Sequence, residues 1–177
     1  VILHNGELCT VLESIHRTPG NLRAFYQVKM RVIKTGKLRE ERFRSGETIE
    51  FVRVETRNYQ YLYRDVDVFM FMDAESYDQI PVPVEIVGDV AKFMKEGLEV
   101  QIARDEQDNV VSVTMPNHVA LRVMSTEPGV KGDTATNALK PSTVETGANV
   151  NVPLFVNEGD LIRIDTSTGS YMDRVKE

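Results

Sequence analysis

The sequence predicts a mainly β chain built as three small barrels, and three observations carry that expectation. Apolar residues recur at period two, or in short runs bounded by Gly, Asn, Asp and Pro, along nearly all of the 177 residues. Between Thr134 and Gly159, the residues Lys140, Pro141, Gly147, Val152, Pro153 and Gly159 punctuate one short frame. Pro fixes φ there and Gly frees it, as a turn-rich barrel requires. Two junctions, near Val52 and Pro116, lack any Gly/Ser-rich spacer, so the units 1–52, 53–115 and 116–177 are joined by short connections that restrict swinging.

In the first unit, Leu8 to Leu12 reads as a strand and Ala24 to Ile33 as a second, with Phe25 and Val28 among its apolar positions. Lys34-Thr35-Gly36-Lys37 supplies a hairpin turn in which Gly36 takes a positive φ. Leu38 to Phe43 returns and Thr48 to Val54 follows, a strand density that fits a small antiparallel barrel. In the second unit, Tyr59, Tyr61 and Tyr63 alternate along one strand. They suit barrel packing better than base stacking, because Asp65 and Asp67 follow at once and would repel phosphate. Val68 to Met72 pairs back across the Asp65 turn. Val84 to Glu96 is predicted as the one helix, with Val87, Ala91 and Met94 on a single stripe and Gly97 as its C′ residue. Leu98 to Ala103 and Val110 to Met115 form a hairpin around Asp105 to Asn109. Strands, one helix, then more strands is the order of a five-stranded OB barrel. In the third unit, Val119 to Met124 opens a β unit and a polar loop runs from Ser125 to Ser142. Asn149 to Val152, Leu161 to Thr166 and Ser170 to Val175 complete it.

Composition narrows the function classes. No apolar run approaches the eighteen or so residues of a membrane span, and no signal-peptide pattern opens the chain. Val1 stands mid-strand without a methionine, from which a preceding natural segment is expected. Cys9 is the single cysteine, so no internal disulfide forms; this suits a reducing, cytoplasmic setting, and Cys9 reads as a buried small hydrophobe. His4, His16 and His118 show no ligand spacing, so no metal is expected. The net charge of −6 argues against a nucleic-acid partner, but it is unevenly spread. Residues 1–52 carry nine basic against six acidic side chains, whereas residues 53–114 carry six against thirteen. A basic end followed by an acidic middle orients a protein beside a polyanion; a merely uneven solvated surface accounts for the charge equally well.

Catalytic chemistry finds no support. There is no Gly-rich phosphate loop, no recognisable nucleophile context for Ser, His and Asp, and no oxygen-ligand set dense enough for calcium. The acid pairs Asp65/Asp67 and Asp105/Asp108 lie in predicted turns, where carboxylates cap backbone. No cofactor, small-molecule substrate or catalytic residue is therefore expected. Two loops remain. One is the tip between two strands of the basic unit, with Pro19, Gly20, Asn21, Leu22 and Arg23; Pro-Gly-Asn makes a tight reversal and Leu22 is bulky for solvent. The other, in the third unit, holds Gly132, Asp133, Thr134 and Ala135, small and hydroxylated residues that permit close backbone approach.

The chain resembles bacterial elongation factor P over essentially its whole length. In the third unit the resemblance rests on Glu127-Pro128-Gly129-Val130-Lys131-Gly132-Asp133-Thr134-Ala135, Lys140-Pro141, Thr146-Gly147, Val152-Pro153-Leu154-Phe155-Val156, Gly159 and Tyr171. In the first it rests on Asn5-Gly6, Pro19-Gly20, Ala24-Phe25, Val28-Lys29 and Thr35-Gly36. The resemblance implies a KOW/SH3-like first barrel and two OB barrels in an L shape that mimics tRNA. It further implies a monomeric, non-enzymatic, cytoplasmic factor that binds the ribosome between the P and E sites and relieves stalling at consecutive prolines. The tip loop, Pro19 to Arg23, would reach the CCA end of the P-site peptidyl-tRNA, and Gly132 to Ala135 would face the small subunit and mRNA. One departure stands out: Asn21 occupies the place where many members carry a lysine or arginine that is modified, and an amide accepts neither modification. A pre-stiffened, unmodified tip with Arg23 as its cation is expected instead. A paralogue acting on a different stalled sequence, or an OB-type binder of single-stranded nucleic acid, are the alternatives.

Overall fold

A computed structural model describes residues 1–129 and 138–177. The strands form three five-stranded antiparallel sheets, each made of five strands consecutive in the chain. The first has the order β4-β3-β2-β1-β5, from β1 (Ile2–His4), β2 (Glu7–Arg17), β3 (Phe25–Val32), β4 (Leu38–Arg44) and β5 (Glu50–Phe51). Asn5 and Gly6, at φ +50° and +76°, turn β1 into β2 with the handedness that matches strand twist. The core of this sheet is Ile2, Cys9, Val28, Met30, Val32 and Phe43. Burial also raises the Cys9 thiol pKa, so the residue serves as packing. The strand expected over Thr48 to Val54 is only the two residues of β5, and Val54 already opens the next sheet.

The second sheet runs β10-β9-β6-β7-β8, from β6 (Val54–Asp65), β7 (Val68–Asp73), β8 (Gln79–Pro83), β9 (Glu99–Asp105) and β10 (Val110–Thr114). Tyr59 and Tyr61 pack inside it against Phe69 and Phe71, as barrel packing requires. Tyr63 does not join them. A bulge shifts the register between Tyr61 and Tyr63, and the Tyr63 side lies 52% exposed.

The helix expected over Val84 to Glu96 is two short pieces instead. One α-helical turn, Val84–Val87, ends at Gly88, whose φ of +75° and ψ of −158° cannot continue a helix, and a 3-10 turn, Gly88–Phe93, follows. Val87, Ala91 and Met94 still pack on the second core, but Phe93 points elsewhere. It is 2% exposed and belongs to the core of the third sheet, with Val119, Leu121, Val150 and Ile164.

That third sheet runs β13-β12-β11-β14-β15, from β11 (His118–Thr126), β12 (Leu139–Val144), β13 (Asn149–Pro153), β14 (Leu161–Asp165) and β15 (Tyr171–Arg174). β12 lies partly inside the segment expected to be a loop to Ser142. Its core-facing positions are Lys140, Ser142 and Val144, so two of three are polar and no apolar alternation marks the strand. Pro141 is tolerated because Val144 N–H turns to Ala148 O while Glu145 N–H turns to Arg122 O on β11. Residue 141 therefore faces β11 too, beyond the last pair, Ser142 with Thr126, where no ladder bond is lost.

The two joints between sheets differ. Phe93 fills the third core from the second unit, Thr146 Oγ1 donates to Lys92 O at 2.6 Å, and Lys95 Nζ pairs with Glu145 at 3.1 Å. Glu145 in turn accepts from Arg122 N–H at 2.9 Å. Among the described residues, no hydrogen bond or ion pair links the first sheet to the second. A cleft lined by Leu8, Ile33, Pro83, Ile86 and Val110 lies between them. No helix of the described residues is long and apolar enough to cross a membrane.

Aspartates hold several turns, and this sets an acid limit. Backbone N–H groups of Glu75 and Ser76, helped by Arg57, hold the Asp73 carboxyl below its ordinary pKa. Asp105 is lowered chiefly by Asn109 N–H and Asp165 chiefly by the Ser167 hydroxyl. In acid the unfolded chain binds more protons at these sites than the folded one. Their stabilisation is complete above the unfolded carboxylate value of about 4 and is lost as pH falls through the lower folded values. The urea midpoint is expected to drop between pH 5 and about pH 3, less steeply in Asp73→Asn; equal slopes in the two proteins would remove Asp73 from this role.

Candidate functional site

The basic end of the first sheet is built by strand register. Arg17 on β2 pairs with Phe25 on β3, which pairs with Arg44 on β4. One step inward, Gln27 pairs with Arg42, so Arg17, Arg42 and Arg44 share one face with Phe25 and Gln27. Arg17 Nε donates to Gln27 Oε1 at 2.9 Å, and Gln27 passes the contact on to Glu40. The Arg42 guanidinium carbon sits 5.0 Å above the Phe25 ring, a cation–π contact that stiffens the arginine without neutralising it.

The tip loop projects from this end. Leu22 N–H donates to Pro19 O at 3.1 Å, closing the tight reversal that Pro-Gly-Asn suggests. Gly20, Asn21, Leu22 and Arg23 are exposed, and Leu22 is 76% so, which leaves an aliphatic side chain with nothing in this chain to cover it. Pro19 is half-buried at the loop's base. Among the described residues, none of Arg17, Arg23, Arg42 and Arg44 stands in an ion pair, whereas Lys29 and Arg39, deeper in the sheet, are matched to Glu13 and Glu7. Four guanidinium groups without an ion-pair partner among the described residues surround one loop, a positive field suited to phosphates that two carboxylates moderate, Glu40 held by Gln27 and Glu47 accepting from Arg44 N–H at 2.9 Å. Arg42 and Arg44 escaped the sequence reading; their signal was the alternation about Phe43, which becomes legible once the register is known.

The second loop is described only at its root. Gly132, Asp133, Thr134 and Ala135 lie outside the described residues. Where the segment leaves the sheet, Thr126 Oγ1 donates to Pro141 O at 3.0 Å and Lys140 Nζ to Glu127 O at 2.6 Å. Lys140 is only 5% exposed, a buried cation held by a carbonyl. Gly129 packs so closely on Leu154 that a Cβ there would lie 2.5 Å from the Leu154 carbonyl oxygen. The loop is thus launched from a clamped base. Among the described residues, no group of three His, Cys, Asp or Glu side chains gathers as metal ligands would.

Comparison with known proteins covers the chain end to end. The family description "Elongation factor P (EF-P) KOW-like domain" matches residues 1–49, "Elongation factor P (EF-P) OB domain" residues 54–113, and "Elongation factor P, C-terminal" residues 119–174. The chain is 51% identical over 176 residues to the elongation factor P of Chloroflexus aggregans, spanning 99% of this chain and 93% of that one. It is 48% identical to that of Roseiflexus sp. strain RS-1, over 99% and 94% of the two chains. With that of Chloroherpeton thalassium it shares 44% identity over 100% and 94%. Among solved structures it is similar to eukaryotic translation initiation factor 5A from Methanococcus jannaschii, with a TM-score of 0.50 and 19% identity over 63% of this chain and 84% of that one. That likeness concerns the fold alone.

Proposed function

The chain belongs to the elongation factor P family, a family of translation factors that work on the ribosome, and from that premise we propose that it acts at the peptidyl-tRNA of stalled ribosomes. In this reading it occupies the space between the P and E sites, with the first sheet's basic end against the acceptor arm of the P-site tRNA. The loop of Gly132 to Ala135 is turned toward the small subunit and mRNA. The observation that carries the reading is the set of four arginines, free of acidic partners among the described residues, around a loop pre-turned by Pro19. Phosphates of an RNA end supply the missing counter-charge.

The factor performs no chemistry of its own in this account. Prolyl substrates sit poorly for peptide-bond formation, and holding the tRNA end in a reactive pose contributes orientation to the ribosome's reaction. Each 1.4 kcal/mol of stabilisation confined to the transition state gives about tenfold in rate. Pro19 limits the loop's freedom before binding, so less ordering entropy is lost when it docks. Asn21 offers no amine or guanidinium for modification, which leaves Arg23 as the loop's cation. Arg23→Ala is expected to slow a triple-proline reporter by several-fold to about tenfold while leaving a proline-free reporter unchanged. Equal rates for variant and wild type on the proline reporter would remove Arg23 from the mechanism. Ribosome profiling after loss of the protein separates this function from that of a paralogue: pauses at Pro-Pro motifs support it, and pauses at another motif assign a different substrate.

A further inference from the structure

The tip end has a second face. His16 on β2 and Tyr26 on β3 are directly paired, their rings stacked 4.6 Å apart at 26°. Tyr26 pairs onward with Phe43, which closes the first core, so the stack continues the sheet's core-facing side past the point where the core ends. Both rings are exposed, Tyr26 by 39%. The open ring faces at the mouth of the barrel are aromatic surface on which a second flat ring can stack, while the imidazole nitrogens and the phenol hydroxyl stay with solvent. The arginines occupy the opposite side of the same strand ends, through Arg17, Arg42 and Arg44. Of the nearby acids, Glu13 pairs with Lys29, Glu40 accepts from the neutral Gln27 amide, Glu41 lies 3.7 Å from His4, and Glu47 accepts from Arg44 N–H at 2.9 Å.

We propose that the His16–Tyr26 stack is a base-stacking platform for an unpaired nucleotide of the bound RNA end, with the arginines on the other side of the strand ends taking its phosphates. The proposal rests on the functional reading above and deepens it by naming where a base is held. Aromatic faces accept any base, so the platform fixes position without reading sequence. It also supplies, from the flanks of the loop, a contact that Asn21 at the tip is too short and uncharged to make.

The test uses ribosome complexes stalled at consecutive prolines whose P-site peptidyl-tRNA carries 2-aminopurine in its unpaired 3′ end. Wild-type protein is expected to accelerate peptide-bond formation and to quench the 2-aminopurine emission, the signature of stacking. The double variant His16→Ala/Tyr26→Ala is expected to lose the quenching and to bind about 5- to 150-fold more weakly. His16→Phe and Tyr26→Phe, which keep the rings, are expected to retain both. Thermal unfolding of each variant is followed alongside, and the single His16→Ala, an exposed site, serves should the double variant unfold. Wild-type acceleration without quenching, or quenching that survives in the alanine variants, overturns the platform and leaves the functional reading standing. Wild-type protein that neither binds nor accelerates overturns the functional reading, and the platform with it.

Discussion

Replacing Phe93 with alanine is expected to lower the free energy of unfolding of the second and third sheets by about 3–5 kcal/mol, the cost of emptying a fully buried aromatic site. The site has little means of collapsing. Gly169 already lies against the ring, its Cβ position 3.3 Å from Phe93 Cζ, and the surrounding Val and Ile side chains are fixed on paired strands. The loss is also expected to change how the molecule unfolds. With the ring gone, what remains across the joint is the half-buried Leu98 and Met115, which pack on both cores, and two surface contacts, Thr146 to Lys92 and Lys95 to Glu145. Exposed pairs of this kind contribute about 0–1 kcal/mol. Urea unfolding followed by Tyr fluorescence and by hydrogen exchange on β14 is expected to separate into two transitions in Phe93→Ala and to stay as one in Phe93→Leu. A single, unshifted transition in the alanine variant would show that the ring does not couple the sheets.

Gly129→Ala is the other large effect. The added Cβ meets backbone at 2.5 Å, and a carbonyl cannot rotate away as a flexible side chain would. Either Leu154 moves or the entry to the following segment swings outward, at a cost of about 1–3 kcal/mol. Lys140 resists the second outcome, because its ammonium holds Glu127 O two residues before the glycine. Amide chemical shifts of Glu127, Leu154 and Lys140 are expected to move together, while those of the first sheet stay fixed. Ribosome binding is expected to weaken with them, since the residues from Gly132 to Ala135 leave from this base. Unchanged shifts at Leu154 would mean that the backbone absorbs the methyl group without displacement.

How far the sequence could be read depended on whether a residue's role follows from its spacing alone. β3 alternates plainly, and the Gly36, Gly97, Gly147 and Gly159 turns all take the positive φ that glycine permits; β2 instead runs from Glu7 to Arg17, past the Leu8 to Leu12 that the sequence marks, because its outer half is mostly exposed and carries no apolar alternation. Buried Cys9 also followed from its strand context. The helix failed for a specific reason. Val87, Ala91 and Met94 are spaced for a continuous helix, yet two short turns broken at Gly88 bring the same three side chains to the same core. Periodicity counts positions and does not see the φ of Gly88. β12 failed for the opposite reason, since Lys140 and Ser142 stand where apolar residues would and are satisfied by Glu127 O and Val150 O. At the candidate site, the tip loop was legible because Pro and Gly announce turns. The arginine row and the His16–Tyr26 stack were not, because residues far apart in sequence meet only through register.

Phe93 also says something about the order in which this chain takes shape. A polypeptide emerges from synthesis amino end first, and its early portions settle before the late ones exist. The aromatic plug that the last sheet needs is carried by the preceding unit, so it is already in place when β11 to β15 arrive. The final barrel thus condenses around a template left by its predecessor, and its assembly inherits the timing and the orientation of the unit made before it.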